Sequence, residues 1–394
     1  MGRLSKFDVL LYASHSEETG AARLAAMLSR NAAFGKVAAR KISGMLSELR
    51  KEGLLNEGNA VNRENPKTWD LFAFLRWAKM RGAGYNDLLG KTTVKVFSSL
   101  FEGRSGSIGT IARDAGISKP TILKNLGLLE KSGFISIGKR KPMEISANLN
   151  DLTFFYANAL GLSFSAFAKR FPPAKLPKTI SPKLTELLIR IHSYATTVTE
   201  GNTATEEDVK KIFENRPVGL TPREVTEIIN AREAVRHLYI VCGGDAGVHD
   251  IKKLHEILMT NIMESPGAFH YGKKRIIGSE VLLPDSREVI DAAVSALLNF
   301  WKAHGKKIRP EVMGAIIHFI FVTIHPFADG NGRVTRLLHS WALMKAGLPV
   351  FAFDPEKKNT YFSLLDAGRK STTDPFIRFC IAEHTAILRR HGIA

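Results

Sequence analysis

The feature that most constrains the fold is a long apolar segment that ends at a histidine and a proline. Residues 309–325, RPEVMGAIIHFIFVTIH, carry apolar side chains at the 3.6-residue period of a buried helix. Pro326 disfavours helical geometry at the residue before it, so this helix is expected to end at His325. A short loop with two glycines follows, and Arg333 opens a second helix. The segment therefore predicts two helices joined by a short polar connection.

This connection has the composition of an anion-binding site. Glycine adopts positive φ easily, and free backbone amides at a helix N-terminus attract anions with help from the helix dipole. Arg333 and Arg336 are three residues apart, so both side chains can lie near one helix face. Asp329 stands where a carboxylate could hold Mg²⁺ between phosphate oxygens, and His325 is a natural base because its ordinary pKa is near neutral. Together these residues predict a site for nucleotide phosphate transfer.

The string HPFADGNGRVTR at residues 325–336 resembles the Fic family motif HxFx(D/E)GNGRxxR. It matches every defined position of that motif, namely His325, Phe327, Asp329, Gly330, Asn331, Gly332, Arg333 and Arg336. The resemblance covers roughly residues 183–394. It implies a mainly helical bundle with one β-hairpin flap, and transfer of AMP from ATP to a Ser, Thr or Tyr hydroxyl of a target protein.

The same resemblance implies a role for each motif residue. His325 would deprotonate the target hydroxyl, Phe327 would anchor the loop in the core, and Asp329 would bind Mg²⁺. ATP phosphates would be held by the rest of the motif: Gly330, Asn331 and Gly332 at the α- and β-phosphates, and Arg333 and Arg336 at the β/γ end.

A second pattern lies near the start of this half. Residues 196–202 read TTVTEGN, which resembles the family's inhibitory pattern (S/T)xxxE(G/N) with Thr196, Glu200 and Gly201 at its defined positions. The resemblance implies that Glu200 pairs with Arg336 and blocks the γ-phosphate position. Taken alone, the same residues predict only a helix C-terminus with Gly201 as its capping glycine.

Residues 266–284 are rich in glycine and β-branched side chains and predict a hairpin. The segment resembles the family's flap, which pairs with the backbone of the target protein. Ile276 and Ile277 would clamp the target. Phe269 and His270 stand where the family commonly has an aromatic residue followed by arginine, so His270 is a departure from the pattern.

The positive charge of the chain is concentrated in its first half. The 394 residues contain 56 Lys and Arg against 38 Asp and Glu, and residues 1–180 hold 28 of these bases but only 14 of the acids. A local excess of this kind indicates a polyanionic partner, either nucleic acid or an anionic membrane. The hydrophobic share of 44% excludes disorder as a description of the whole chain.

Residues 100–150 have the pattern of a winged helix-turn-helix. The apolar spacing predicts a helix that Gly116 ends, a second helix that starts at Ser118, and then a strand pair with a basic tip. Residues 7–62 look like a weaker copy. The predicted DNA contacts are Lys119, Thr121 and Lys124 on the second helix and Lys139, Arg140 and Lys141 on the wing. Such modules can also serve only for packing or dimerisation.

The predicted organisation is a winged-helix-like module over 1–65, a buttressing helix over 66–90 and a winged helix-turn-helix over 91–170. A Pro-rich linker over 171–182 and a Fic domain with its inhibitory helix over 183–394 complete the chain. Cys242 and Cys380 are far apart, so we expect no disulfide framework and no cysteine zinc site. No secretory signal or membrane span is predicted, and the expected setting is the cytoplasm.

The sequence thus predicts a protein adenylyltransferase that uses ATP and Mg²⁺, is autoinhibited by Glu200 and carries a DNA-binding half. A homodimer is expected, because winged-helix proteins often read two-fold sites. One alternative is a transcription regulator whose Fic domain only senses nucleotide or modifies itself. Another is an enzyme of the same fold that removes AMP or transfers a different phosphate-containing group.

Overall fold

The chain folds into two compact units, each of which is mainly helical. The computed structural model describes residues 4–13, 20–31, 33–62, 64–103, 107–140, 143–177, 182–275 and 281–393. The first unit is formed by Met1–Ala147, Leu152–Ser163 and Asp291–Asn299, and the second by Asn148–Asp151, Phe164–Ile290 and Phe300–Ala394. The segment 171–182 lies within the second unit, and the predicted domain boundaries remain predictions.

The first unit contains two groups of three helices, each followed by paired extended backbone. The first group is α1 (Lys6–Ala13), α2 (Ala21–Ser29) and α3 (Ala39–Lys51), followed by an antiparallel bridge between Leu55 and Val61. Then come α4 (Pro66–Met80) and the one-turn α5 (Tyr85–Leu88). The second group is α6 (Lys91–Phe101), α7 (Ile108–Ala115) and α8 (Lys119–Lys131), followed by the antiparallel strands β1 (Ile135–Arg140) and β2 (Met143–Ala147).

Local sequence explains the second group. The Ser107 side chain accepts a hydrogen bond from the Thr110 backbone amide and caps α7, which ends at Gly116 with φ of 62°. Ser118 precedes α8, and Ile135 pairs with Ala147 where the strands begin and end. The predicted helices and strand pair are confirmed here. Their assignment as a winged-helix module remains a prediction.

Tyr156 is the centre of an aromatic cluster in the first unit. It lies on α9 (Asp151–Ala159), and its ring centroid is 5.0 Å from that of Phe74, 5.1 Å from that of Phe97 and 5.0 Å from that of Phe134. Its buried hydroxyl donates to the carbonyl of Leu88, which satisfies the polar end of the side chain. One side chain thus ties α4 and α6 to the start of the hairpin.

Asp70 of α4 carries a partly buried carboxyl group. Asp70 accepts a hydrogen bond of 3.2 Å from the Asn299 side chain and also faces the Asn158 side chain. Burial raises the pKa of Asp70 to about 7, although both amides act in the opposite direction. The folded protein therefore binds a proton at this site up to near-neutral pH.

We predict that Asp70→Asn stabilises the protein more at pH 8 than at pH 4.5. The unfolded carboxyl ionises near its ordinary pKa of 3.8, whereas the folded one ionises at about 7. The free energy of unfolding of the wild type should thus fall by roughly 2–4 kcal/mol as pH rises through this window. The side-chain amide of the Asp70→Asn variant does not ionise, so the variant should not show this fall. Urea unfolding at several pH values measures the difference, with the exposed Asp114→Asn as control. Equal pH dependence in wild type and Asp70→Asn would contradict the prediction.

The second unit is built on two buried helices, α16 (Pro310–Ile324) and α17 (Asn331–Met344). These two helices pack against each other, and α17 also contacts three earlier helices. The remaining helices described after α9 are α10 (Ser165–Ala168), α11 (Pro182–Thr199), α12 (Glu206–Phe213), α13 (Pro222–Val241), α14 (Val248–Met259), α15 (Arg287–His304), α18 (Lys358–Lys370) and α19 (Asp374–Arg390), with a 3₁₀ turn at Pro355–Lys357. Of these, α15 contributes Asp291–Asn299 to the first unit.

Burial of α16 follows directly from its sequence. Every residue from Glu311 to Ile324 is buried, which agrees with the continuous apolar run. Pro310 opens the helix, where a missing backbone N–H breaks no intrahelical bond. The predicted end at His325 is confirmed, since His325 is the C-cap residue.

The predicted hairpin at 266–284 is only partly described and stays a prediction. Residues 266–275 and 281–284 contain no strand, and residues 276–280, including Ile276 and Ile277, lie outside the described part of the chain. Within the described ranges, the only sheet is the β1–β2 pair. None of the described helices is both long enough and apolar enough to cross a lipid bilayer.

Candidate functional site

The loop between α16 and α17 begins and ends with left-handed backbone. His325 has φ of 53° and ψ of 56°, and Gly330 has φ of 75° and precedes α17 as its N-cap residue. A left-handed conformation is unusual for a residue that carries a Cβ, so His325 must be held by its surroundings. The reversal leaves the His325 side chain half-buried beside a cleft.

Phe327 fixes the middle of the loop. Its side chain is fully buried, stacks on the His255 ring with centroids 3.7 Å apart, and meets Phe269 edge-on at 5.1 Å. The Asn331 side chain closes the loop by accepting from the Phe327 amide at 2.9 Å and donating to its carbonyl at 2.8 Å. Phe327 thus anchors the loop in the core, as the family resemblance implies.

His255 is a part of the site that the sequence did not indicate. It lies on α14, accepts from the Gly267 amide at 2.7 Å through Nδ1, and has its Nε2 3.0 Å from the Asp329 carbonyl. With Nδ1 accepting, Nε2 carries the proton and donates to that carbonyl. Burial lowers the pKa of His255 to about 4, so the ring is neutral at physiological pH. A single histidine on an amphipathic helix gives no signal of such a role.

Gly330 is required by both its conformation and its surroundings. A Cβ at this position would lie 2.8 Å from the Met259 sulfur and 3.3 Å from the His255 ring. Both neighbours are fully buried and packed against the loop, so neither can withdraw freely.

We predict that Gly330→Ala destabilises the protein by about 2–4 kcal/mol, because backbone strain and overpacking add. Gly161→Ala is the matched control: Gly161 has φ of 65°, but a Cβ added there would meet no atom within 4 Å, so only about 1 kcal/mol of strain is expected. Urea unfolding followed by circular dichroism measures both. Equal losses in the two variants would show that the contacts with Met259 and His255 are unimportant.

His325 has the electrostatic surroundings of a neutral base. Its Nδ1 lies 3.2 Å from the Val322 carbonyl, so Nδ1 carries the proton and Nε2 keeps its lone pair. Burial lowers the pKa of His325 to about 4, with the positive charges of Lys274 and Arg369 acting in the same direction. The ring is therefore unprotonated at neutral pH, which is the form that can accept a proton.

Asp329 and Arg333 are neighbours at the start of α17. The Asp329 carboxylate is more than half exposed, accepts a 2.6 Å hydrogen bond from the Gly330 amide, and lies 3.6 Å from Arg333 Nη2. Arg333 is buried and also lies 3.8 Å from Glu227. An exposed carboxylate beside backbone amides is a hard oxygen donor of the kind that Mg²⁺ prefers.

Arg336 is almost completely buried, with only 1% of its surface exposed. Its Nε donates to the Thr196 hydroxyl at 2.7 Å, and its Nη2 donates to the Thr196 carbonyl at 3.2 Å and to Glu200 Oε1 at 2.6 Å. Its Nη1 has no hydrogen-bond partner among the described residues. The structure thus brings Thr196, Glu200 and Arg336 together. The two residues of the ion pair, Glu200 and Arg336, are 136 residues apart in the sequence.

Glu200 also covers the beginning of α17. A Cβ built on Gly332 would lie only 2.3 Å from Glu200 Oε1. The carboxylate therefore rests against the glycine of the helix N-terminus, next to the backbone amides that favour anions. Gly201, which follows, has φ of 103° and ends the helix, as its sequence predicted.

A cleft of about 430 Å³ opens beside the loop. Motif residues and Glu200 form one side, and the other is formed by Arg275 together with Tyr361, Phe362, Leu365, Asp366 and Arg369 of α18. The mixture of aromatic and charged side chains suits a ligand with both a flat apolar part and an anionic part. A larger groove of about 630 Å³ lies between α11, α12 and the C-terminal residues and contains no motif residue.

A group of side chains of the types that can bind metals lies in the core of this unit. His318, His339 and Cys380 are buried, and their ligand atoms lie within 4.8 Å of one another. The two histidine Nδ1 atoms are 3.2 Å apart, and His318 Nε2 is 2.8 Å from the Tyr361 hydroxyl. Burial lowers the pKa of both histidines and raises the pKa of the Cys380 thiol. These groups therefore form a neutral, hydrogen-bonded core cluster.

The predicted DNA-contacting residues are only partly described. Lys119 and Lys124 are exposed on α8, whereas Thr121 is half-buried with its hydroxyl 2.9 Å from that of Ser118. Lys139 and Arg140 belong to β1, but their side chains lie outside the described part of the chain, as does the whole of Lys141.

Comparison with known proteins agrees with this geometry. Residues 246–343, which include the α16–α17 loop, match the family model described as the Fic/DOC family. The protein adenylyltransferase Fic of Drosophila yakuba is 29% identical over 193 residues, which is 48% of this chain and 39% of that protein. The corresponding Drosophila melanogaster protein is 28% identical over the same length. The match thus spans well under half of these curated relatives.

Solved structures with Fic domains are also similar. A Fic family protein from Desulfovibrio desulfuricans aligns at 26% identity and a TM-score of 0.46, covering 54% of this chain and 66% of that one. Fic-1 from C. elegans aligns at 17% identity and a TM-score of 0.47, covering 89% of this chain and 92% of that one.

Proposed function

We propose that this chain is a protein adenylyltransferase that transfers AMP from ATP to a hydroxyl side chain of a target protein. The observation that carries the proposal is the loop between α16 and α17. It places a neutral His325 at the mouth of a cleft beside an amide-rich helix N-terminus and two buried arginines. The match of residues 246–343 to the Fic/DOC family and the names of the Drosophila relatives support the same activity.

The reaction is a substitution at the α-phosphorus of ATP. The hydroxyl oxygen of the target forms a bond to this phosphorus while the bond to the β-phosphate oxygen breaks, so the products are AMP-modified protein and pyrophosphate. His325 accepts the hydroxyl proton through its free Nε2, since Nδ1 points at the Val322 carbonyl. Its low pKa ensures that the ring is available as a base throughout the physiological range.

Charge on the phosphates would be balanced by the start of α17. Arg336 Nη1 is a buried donor without a partner among the described residues, and the Arg333 Nε is another. Buried donors without a partner suit an anionic ligand, because a buried donor that makes no hydrogen bond costs free energy. Asp329 would hold Mg²⁺, which neutralises charge on phosphate oxygens when bound.

Glu200 would act as an inhibitor of this activity. Its carboxylate takes one nitrogen of Arg336 and lies against Gly332, so a phosphate group could not occupy the same place. The carboxylate would also repel the negative charge of ATP. Release of Glu200 would free Arg336 Nη2 and open the N-terminus of α17 for the γ-phosphate.

We predict that Glu200→Gly raises AMP transfer at least tenfold, because it removes the competing carboxylate. The measurement is incubation of the variant with α-labelled ATP, Mg²⁺ and cell lysate, followed by electrophoresis. Glu214→Gly, at an exposed helix end, is the control and should behave as wild type. In the Glu200→Gly background, His325→Ala should abolish labelling. Persistent labelling without His325 would exclude it as the base, and no labelling in any variant would exclude the activity.

We propose further that the first half binds DNA and that α8 and the β1–β2 hairpin make the contacts. Lys119 and Lys124 are exposed and free of ion pairs among the described residues, and residues 1–180 carry most of the net charge. Two-fold DNA sites would require a homodimer. In an alternative function, the protein is a DNA-binding regulator, and the cleft of the second unit serves only to sense nucleotide or to modify the protein itself.

We predict that DNA affinity falls steeply with salt, because each neutralised phosphate releases a counterion. Lys119→Ala with Lys124→Ala should lower the slope of log K against log salt by about 2, whereas Lys131→Ala at the other end of α8 should leave it unchanged. Fluorescence anisotropy with labelled duplex measures the slope. A flat slope in wild type would assign these modules to packing. His325→Ala should retain DNA binding if the two activities are separate.

The same site is compatible with the reverse chemistry, which is the removal of AMP from a modified protein. Both directions require the intact loop, and Glu200 could orient a water molecule for hydrolysis. Incubation of wild type with a pre-labelled target distinguishes the two: release of labelled AMP that depends on Glu200 favours removal, and retention of the label favours transfer.

A further inference from the structure

Lys274 joins the segment before residue 276 to the loop that carries His325. Its ammonium donates to the His325 carbonyl at 2.8 Å and to the His270 carbonyl at 3.1 Å. The side chain is half-buried, and burial lowers the pKa of Lys274 to about 8, while Asp285 acts in the opposite direction. Neither the sequence motif nor the family resemblance singled out this lysine.

A second contact from the same segment reaches the next residue of the loop. The His270 amide donates to the Pro326 carbonyl at 2.8 Å. The carbonyls of His325 and Pro326 are therefore both held from outside the α16–α17 hairpin. The direction of a carbonyl depends on the ψ angle of its own residue, so the contact from Lys274 restrains His325 in its left-handed conformation.

The position of Lys274 also affects the charge of the His325 ring. The charged groups that act on this ring are Lys274, Arg369 and Glu200, and Arg369 is itself paired with Asp366 at 2.7 Å. A cation beside an imidazole disfavours its protonated form. Lys274 belongs to the segment between α14 and α15, whereas Arg369 belongs to α18 and Glu200 follows α11, so the three groups are supplied independently.

We propose that Lys274 is a positioning residue of the site: it fixes the His325 carbonyl, and through it the orientation of the ring at the mouth of the cleft. The inference rests on the proposed function, in which His325 is the base. Lys274 itself exchanges no proton with the substrate. Its second effect, the electrostatic one, is to keep the base unprotonated.

The first experiment measures AMP transfer in the Glu200→Gly background. Lys274→Met should lower kcat at least tenfold with less than a threefold change in KM for ATP, and should move the acidic limb of the pH profile to higher pH. Lys274→Arg keeps a donor and a charge and should restore part of kcat. Lys253→Met, a partly exposed lysine on α14 that pairs with Glu256, is the control and should match the parent. An unchanged kcat and pH profile in Lys274→Met would overturn the proposal.

The second experiment needs no activity and so separates failure of this inference from failure of the proposed function. Titration of the histidine ring signals by NMR, with the His325 signal assigned through its loss in His325→Asn, reports the pKa of His325 directly. We expect a higher pKa in Lys274→Met than in wild type, and a value near wild type in Lys274→Arg. If Lys274→Met does not fold, Lys274→Gln takes its place. Identical titrations together with an unchanged chemical shift of the His325 ring in the neutral variant would overturn the proposal even if AMP transfer is found.

Discussion

Burial of the Arg336 guanidinium is the interaction on which the arrangement of the second unit depends. A charged group is expensive to remove from water unless partners replace the lost hydration. The partners come from the last turn of α11 and the residue that follows it, because the Thr196 hydroxyl and carbonyl and the Glu200 carboxylate accept three hydrogen bonds from the guanidinium. The end of α11 is therefore tied to the centre of α17, and Gly201 must end the helix there.

The loop that precedes Arg336 is held by contacts from elements far away in sequence. Phe327 packs on His255 of α14, and the His325 and Pro326 carbonyls are bound by the segment that contains His270 and Lys274. The central pair of helices supplies the residues of the site, and the surrounding helices fix their orientation. The contacts from the surrounding helices thus restrain a loop that contains two left-handed residues.

Local signals were enough to predict the elements of the site. A continuous apolar run and Pro326 were sufficient to locate α16 and its end, and the spacing of Gly116 and Ser118 predicted the boundary between α7 and α8. Such features depend only on the backbone preferences of a few adjacent residues. The motif was enough to group His325, Asp329 and Arg336, because their residue types and spacing already indicated a base, a metal-binding carboxylate and a phosphate-binding arginine.

Contacts between residues that are distant in the chain could not be predicted from the sequence. His255 lies 74 residues before Asp329, and Lys274 lies 51 residues before His325. Each is a single polar residue in an unremarkable segment, so no periodicity or spacing marks it. The pairing of Glu200 with Arg336 was expected only because a family pattern suggested it. The hairpin expected at 266–284 stays a prediction, since its central residues 276–280 lie outside the described part of the chain.

The ion pair between Glu200 and Arg336 has a thermodynamic consequence. Because both groups belong to one chain, the carboxylate is a tethered ligand whose effective concentration at the guanidinium does not change on dilution. An external anion must compete with this tethered carboxylate, so the apparent dissociation constant of the anion is its intrinsic value divided by the fraction of molecules in which the tether is open. In the proposed function, the fraction of molecules in which Glu200 has left Arg336 would then set the occupancy of the cleft, with no rearrangement of α17.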